Sequence, residues 1–398
     1  MTMRTGLLLA AVVGPLLGAC AGAAPRPTAR PVPPRIARIA LLPVDNASGG
    51  SAPARPLQAA VEAALRARGV ELVTGEPVDR FLAAHRMRFT GAVPIEPAAA
   101  AAGELGVDAL LVTSLEQYVA LGVPRIGVGM RLVSAEPRPR ILWADAAALA
   151  GDGAPGLFGT GLVRSMPVLQ QRAVDALADS LRRWLATGAA PRGCAREARF
   201  APRIRYRSDL LEGEVRTVAV LPFVNETLRR RGGDVVADAF VRGLAATGRF
   251  EVVEPGLVRD SLLARRVVME GGVSLDTARL VLDALDSDLV VAGYVRELAE
   301  DMGGGVPPRV DFTALMIDRR TEEIVWEVSS YHQGDDGVWA FDRGRVRSAG
   351  ALACRMIASA SELAAWGPST RAGAAAAAAA RVPPRNFAGA PRAPDEVR

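Results

Sequence analysis

The sequence contains no lysine, so all 48 of its basic side chains are arginine. That absence excludes a Walker-type phosphate loop and any Schiff-base mechanism, because both need the lysine amine. Imidazole is almost as scarce, with His85 and His332 as the whole supply. No HExxH, GxSxG or paired CxxC spacing occurs. Zinc hydrolysis and acyl transfer therefore lack a visible kit, and no catalytic, cofactor-binding or metal-ligating residue is expected. Cysteine is limited to Cys20, Cys194 and Cys354. Beyond the first twenty residues no apolar run is long enough to cross a bilayer as a helix.

The start of the chain is where chemistry is legible. Arg4 supplies a positive charge, Gly6 to Ala19 are apolar, and the run ends in Leu17-Gly18-Ala19-Cys20. At about 14 residues and broken by Pro15, it is too short to remain as a transmembrane helix. It reads as a lipoprotein signal peptide over 1–19, cut before Cys20, whose thiol takes the lipid. Ala21 in place of an aspartate implies, by resemblance to Gram-negative lipoproteins, sorting to the outer membrane. Pro25, Pro27, Pro31, Pro33 and Pro34 make 20–35 an extended tether. An oxidising compartment permits a disulfide between Cys194 and Cys354, but the apolar setting Ala351-Leu352-Ala353-Cys354 favours a plain core cysteine.

Half of the residues are hydrophobic, enough for two or three domains with real cores. The net charge of +5 is carried by arginine as the default solvating residue, which gives no reason to expect nucleic acid as a partner. The organisation shows as an internal repeat. Ile39 to Asn46 (IALLPVDN) matches Val218 to Asn225 (VAVLPFVN), and Glu71-Leu72-Val73 matches Glu251-Val252-Val253. Val78 to Arg86 matches Val258 to Arg266, Leu105 to Val112 matches Leu285 to Ala292, and Arg140 to Trp143 (RILW) matches Glu323 to Trp326 (EIVW). Blocks in one order, about 180 residues apart, indicate a tandem duplication.

Within the second copy, strands are expected at Thr217–Phe223, Phe250–Val253 and Leu289–Leu298, and a hairpin at Val310–Asp318 and Glu323–Tyr331. Helices are expected at Asp234–Thr247, Gly256–Arg266, from Ser274 onward, and at Val346–Trp366. Such alternation predicts an α/β fold, two tandem copies of one domain with a mixed sheet flanked by helices. The boundaries are 36–186 and 215–367, joined by a basic linker at 187–214 and followed by a disordered Ala/Pro/Arg tail at 368–398. Three features invite a functional reading and have plainer ones. Gly151 to Gly156 fits GxGxxG, but Pro155 gives no helix start for a pyrophosphate. Asp335 and Asp336 lie in a glycine-flanked turn, where solvated carboxylates are ordinary. Pro43 with Asn46, and Pro222 with Asn225, end a strand and turn the chain.

Val218 to Asn225 with Thr227, Arg249 to Glu254, Ser274 with Ala278, Asp288 to Val295 and Ile317-Asp318…Ile324-Val325-Trp326 together resemble one superfamily. It contains the curli-secretion lipoproteins, the lipoprotein activators of penicillin-binding proteins, and the amino-terminal domain of TolB. The first copy departs from the pattern at Val44, Ser134 and Ala135. The resemblance implies a TolB-N/CsgG-like domain that makes protein contacts in the cell envelope and has no active site. The expected protein is an outer-membrane, periplasm-facing lipoprotein anchored through Cys20, binding or regulating an envelope protein such as a peptidoglycan synthase or an assembly machine. The alternative is a curli-type secretion channel subunit; neither the partner nor the oligomeric state is read from the sequence.

Overall fold

The computed structural model describes residues 35–153, 161–191, 193–267, 272–300, 305–338, 342 and 344–367. Cys20, the body of the tether, residues 154–156 of the glycine motif and the alanine tail lie outside them. The N-terminal half runs β1 (Arg38–Leu41), β2 (Asp45–Asn46), α1 (Ala54–Ala67), β3 (Glu71–Val73), α2 (Glu76–Ala84), α3 (Ile95–Leu105), β4 (Ala109–Val119), β5 (Arg125–Ser134), β6 (Ile141–Ala150) and α4 (Met166–Thr187). The C-terminal half runs β7 (Ile204–Arg207), β8 (Arg216–Val220), β9 (Val224–Asn225), α5 (Gly232–Thr247), β10 (Phe250–Val252), α6 (Pro255–Ala264), α7 (Leu275–Leu285), β11 (Leu289–Ala299), β12 (Arg309–Asp318), β13 (Ile324–Gln333) and α8 (Ala349–Trp366).

Each half carries a mixed sheet flanked by helices. The N-terminal order is β3-β1-β4-β5-β6 with β2 on β4; the C-terminal order is β10-β8-β11-β12-β13-β7 with β9 on β11. In both, the first long strand lies parallel to its neighbours, since a crossover helix separates them in sequence, and the last three long strands form an antiparallel meander. Bulges fall at matching places, Leu115/Gln117 with Val295/Glu297 and Leu132/Val133 with Met316/Ile317. Trp143 stands opposite Leu132 and Trp326 opposite Met316, both indoles buried.

Local sequence explains the helices. On α1, Leu57, Val61, Ala64 and Leu65 recur at helical spacing and are buried. Ser274 caps α7 by accepting the Thr277 N–H, and Gly248 ends α5 at φ +69°, a conformation that costs glycine little. In the N-terminal half, α1 and α4 pack with Leu111, Ile126, Val128 and Leu132 on one face, and α2 and α3 with Ala40, Leu42, Leu110 and Val112 on the other. In the C-terminal half, α5 and α8 cover one face and α6 and α7 part of the other.

The halves differ in what covers the outer strands. β5 alternates Ile126, Val128, Met130 and Leu132 toward α1 and α4 with Arg125, Gly127, Gly129 and Arg131 on the opposite face, yet every residue of β5 is buried. The reason is that α5 and α8 lie across that face. A Cβ on Gly129 would meet Glu116 and the Arg242 guanidinium of α5, and one on Gly350 of α8 would meet Gln117 and Ala148. Thus α5 and α8 have a sheet on either side. Among the described residues nothing covers the matching strand β12 in this way, and Arg309, Asp311, Thr313 and Leu315 are only half-buried.

Residues 187–214 do more than link. They contain a 3₁₀ turn at Ala198–Phe200, then β7, which pairs with β13, then a second turn at Asp209–Leu211. Phe200 enters the core with no exposed surface. The arginines that made the stretch look like a solvated linker hold it down, Arg199 donating to the Asp336 carbonyl, Arg203 to that of Tyr331 and Arg207 to that of Ala364. Cys354 is likewise not a free core thiol. It forms a disulfide with Cys194, their Cα atoms 5.7 Å apart, and staples the incoming segment to α8.

Candidate functional site

Most residues that stood out in the sequence prove to be architectural. Asn46 donates to the Gly50 carbonyl and accepts from Ser48, while Asn225 donates to the Arg229 carbonyl and accepts from Thr227, so both shape the same turn. His85, just after α2, packs on Phe81 and faces Glu104 at 3.1 Å. His332 is buried, with Nδ1 2.8 Å from Asp336 and Nε2 3.0 Å from the Ala201 carbonyl, which fixes the turn behind Phe200. Of the two turn aspartates, then, Asp336 is engaged and Asp335 is exposed. Burial pushes the Asp318 carboxyl up, but N–H groups of Thr321 and Arg320 and the Arg216 guanidinium prevail and hold it below the usual carboxylate range. It pins the β12–β13 turn. Gly151 donates its N–H to the Pro124 carbonyl and accepts from Val163, so the described part of the glycine motif is a turn closing the sheet end. Among the described residues, no group of three His, Cys, Asp or Glu could hold a metal ion.

The densest charged cluster lies on the seam between the halves. Arg131 of β5 donates from Nε to Glu254 Oε2 at 2.9 Å, and from Nη2 to Glu254 Oε1 at 3.1 Å and to the Gly91 carbonyl at 2.9 Å. Glu254, fully buried before α6, also accepts the Val93 N–H at 3.0 Å. Arg242 grips Glu116 through two bonds of 2.6 and 3.1 Å, and Arg231 grips Asp45 through two of 2.8 and 2.9 Å. Burial pulls the Arg131 guanidinium toward neutrality, but Glu254 and Asp238 more than restore it and its proton is held above the ordinary range. Asp238 has the weaker position, 3.4 Å from Arg131 and sharing it with Glu254. Burial pushes its pKa up to about 6 despite Arg131 and Arg242, with Glu116 and Glu254 adding to the rise. Beside it a cavity of about 240 Å³ opens between Phe89 and the apolar Val220, Val258 and Leu262. Arg231 and Arg259 lie 5.2 and 4.7 Å from the Phe89 ring centre.

Among the described residues, two surfaces stay open on the sheets. One is the face of the C-terminal sheet that corresponds to the covered side of β5, where Ile204 and Tyr206 of β7 are 66% and 48% exposed. The other is a groove of about 630 Å³ along the outer edge of β6, lined by Asp145, Ala146 and Ala147, by Ala176, Leu177 and Ser180 of α4, and at its rim by Asp179, Arg182, Arg183 and Gly193. Neither the seam nor the groove is predicted from the sequence. The signal for the seam was present, since glycine and arginine alternating with aliphatics along β5 mark a face approached closely by another element.

No protein-family model and no curated protein matches this chain. Solved structures resemble parts of it. The PelC dodecamer from Paraburkholderia phytofirmans is 16% identical over 42% of this chain and 96% of its own, at a TM-score of 0.29. Lipoprotein GNA1162 from Neisseria meningitidis is 21% identical over 36% of this chain and 99% of its own, at 0.27. The LpoB C-terminal domain from Escherichia coli is 19% identical over 29% of this chain and 84% of its own, at 0.23. The α/β architecture of two mixed sheets rests on the strand pairing above, not on these likenesses.

Proposed function

We propose that this chain is a lipid-anchored, periplasm-facing binding or regulatory module of the cell envelope, attached through Cys20 at the outer membrane and without catalysis of its own. The observation that carries the compartment is the Cys194–Cys354 disulfide. It joins two elements far apart in sequence, and such bonds persist where thiols are kept oxidised. The leader ending in Leu17-Gly18-Ala19-Cys20 supplies an export route to that compartment, and no helix among the described residues is long and apolar enough to cross a membrane. A binding role is supported by the charges: the Arg131–Glu254, Arg231–Asp45 and Arg242–Glu116 pairs of the seam are committed to one another, while a sheet edge and a sheet face are left for contact. The partner is an envelope protein, a peptidoglycan synthase or an assembly machine being the type in view. The two halves descend from one duplicated domain, a reading supported by matching bulges and by a shared strand order to which the C-terminal half adds β7.

The test has two parts. Cys20→Ser, or inhibition of the lipoprotein signal peptidase, should leave the larger, uncut precursor, and Cys20→Ser should also take up no labelled fatty acid; normal processing of Cys20→Ser would overturn the anchor. A tagged chain crosslinked in intact cells should retain a defined envelope protein through stringent washing. Recovery of lipid alone, with no protein at stoichiometric yield, would overturn the binding role.

A further inference from the structure

We infer that the groove between β6 and α4 is a docking site for an extended segment of the partner protein, which adds as an antiparallel strand to β6 and places a basic side chain against Asp145. The molecule contains the occupied version of this site. In the C-terminal half, the space between the last meander strand and the long helix behind it is filled by β7, paired antiparallel to β13 from Trp326↔Arg207 to Ser329↔Ile204. Ser208 N–H donates to Val325, Arg203 N–H to Ser329, and the Arg207 guanidinium to the Ala364 carbonyl of α8. In the N-terminal half the corresponding space is the 630 Å³ groove, and among the described residues no strand pairs with the outer edge of β6.

The chemistry of the edge specifies the occupant. Ala146 N–H points away from β5 and is held at 2.9 Å by the Asp145 carboxylate, whose other oxygen accepts from Ser180 on α4 at 2.5 Å. Asp145 is 6% exposed. A side chain folded onto its own strand edge is a guard against indiscriminate pairing. An incoming strand whose carbonyl takes the Ala146 N–H displaces that bond and leaves a buried carboxylate short of a donor, which is costly unless a cation replaces it. The strand residue opposite Asp145 faces α4 and is placed to supply one. Val328, like Asp145, lies two residues after the hairpin tryptophan, and β7 puts Arg205 opposite it. The preferred segment is therefore extended, with arginine or lysine opposite Asp145 and small residues against Ala147 and Ala176. Main-chain bonds supply affinity and the cation supplies selection.

This inference rests on the proposed binding role, and its test is separable from that of the role itself. The probe is a capped peptide of residues 201–211, which carries the β7 sequence, added to the purified full-length chain in detergent. Saturable binding should slow hydrogen exchange at Ala144, Ala146 and Ala148 at least tenfold. Ala146→Pro removes an edge donor that β5 does not use; it should weaken binding tenfold or more while circular dichroism keeps the native spectrum, at a thermal midpoint lowered by the bond Asp145 loses. Replacing the peptide's Arg205 with alanine should weaken binding to the wild-type chain several-fold but not to Asp145→Asn. The inference is overturned if exchange slows only in β13, meaning that the peptide has replaced β7, or if Ala146→Pro binds normally. Either result, with a partner still captured from the envelope, removes the groove and leaves the binding role standing.

Discussion

Asp238→Asn should stabilise this protein at pH 8 and change it by only about 0.5 kcal/mol at pH 4. The carboxyl sits on the seam, faced by Arg131 and Arg242 and by the carboxylates of Glu116 and Glu254, and burial raises it from 3.8 to about 6. Because the folded value exceeds the unfolded one, the folded state binds the Asp238 proton more tightly. The stability gained from that proton is complete below the unfolded value and is lost as pH rises through about 6. The gap corresponds to about 3 kcal/mol, carried at pH 8 as the cost of a buried charge that two arginines only partly offset. Asparagine keeps the shape and cannot ionise. Urea unfolding of both proteins, followed by tryptophan fluorescence at pH 4 and pH 8, isolates this group, since the other carboxylates cancel in the difference. A stability difference that does not change between the two pH values, or a variant weaker than wild type at pH 8, would refute the reasoning.

Three other outcomes follow from the same geometry. Arg131→Met should destabilise by about 3–5 kcal/mol in urea titration, because it strands Glu254 without a counter-charge, and Arg131→Met with Glu254→Gln should recover much of that. Replacing Cys194 and Cys354 with serine should cost about 2–4 kcal/mol and expose the segment around Phe200 to protease, with wild type under reductant behaving alike. Gly129→Ala should cost about 1–3 kcal/mol by calorimetry, since its methyl group would intrude on the Glu116–Arg242 pair, whereas Thr313→Ala at the matching open position should stay within about 0.5 kcal/mol.

The repeated blocks made the sheets legible, because strands such as Leu289–Ala299 open on an apolar run, Leu289 to Ala292, and Ser274 and Gly248 punctuate helices by local chemistry. β7 was not legible. Ile204-Arg205-Tyr206-Arg207 is too short and too charged for its period to stand out, and only the partner strand and the Ala364 carbonyl make its arginines structural. The disulfide was missed for a related reason: Cys354 has the apolar neighbours of a core cysteine, and its distance from Cys194 is set by the whole second half. The seam depends on residues more than a hundred positions apart, such as Arg131 with Glu254, so no local pattern pairs them.

The covering of β5 by α5 and α8 also imposes a schedule. A ribosome releases the chain N-terminus first. The glycine-lined side of the first sheet, complete once β6 is made, then waits for a helix that ends at Trp366, the last described element. Cys194 must wait across 160 residues for its mate on that same helix. The half that is born first is thus finished last, and any chain interrupted before α8 presents an uncovered sheet and an unpaired thiol together, two marks by which quality control can recognise it as incomplete.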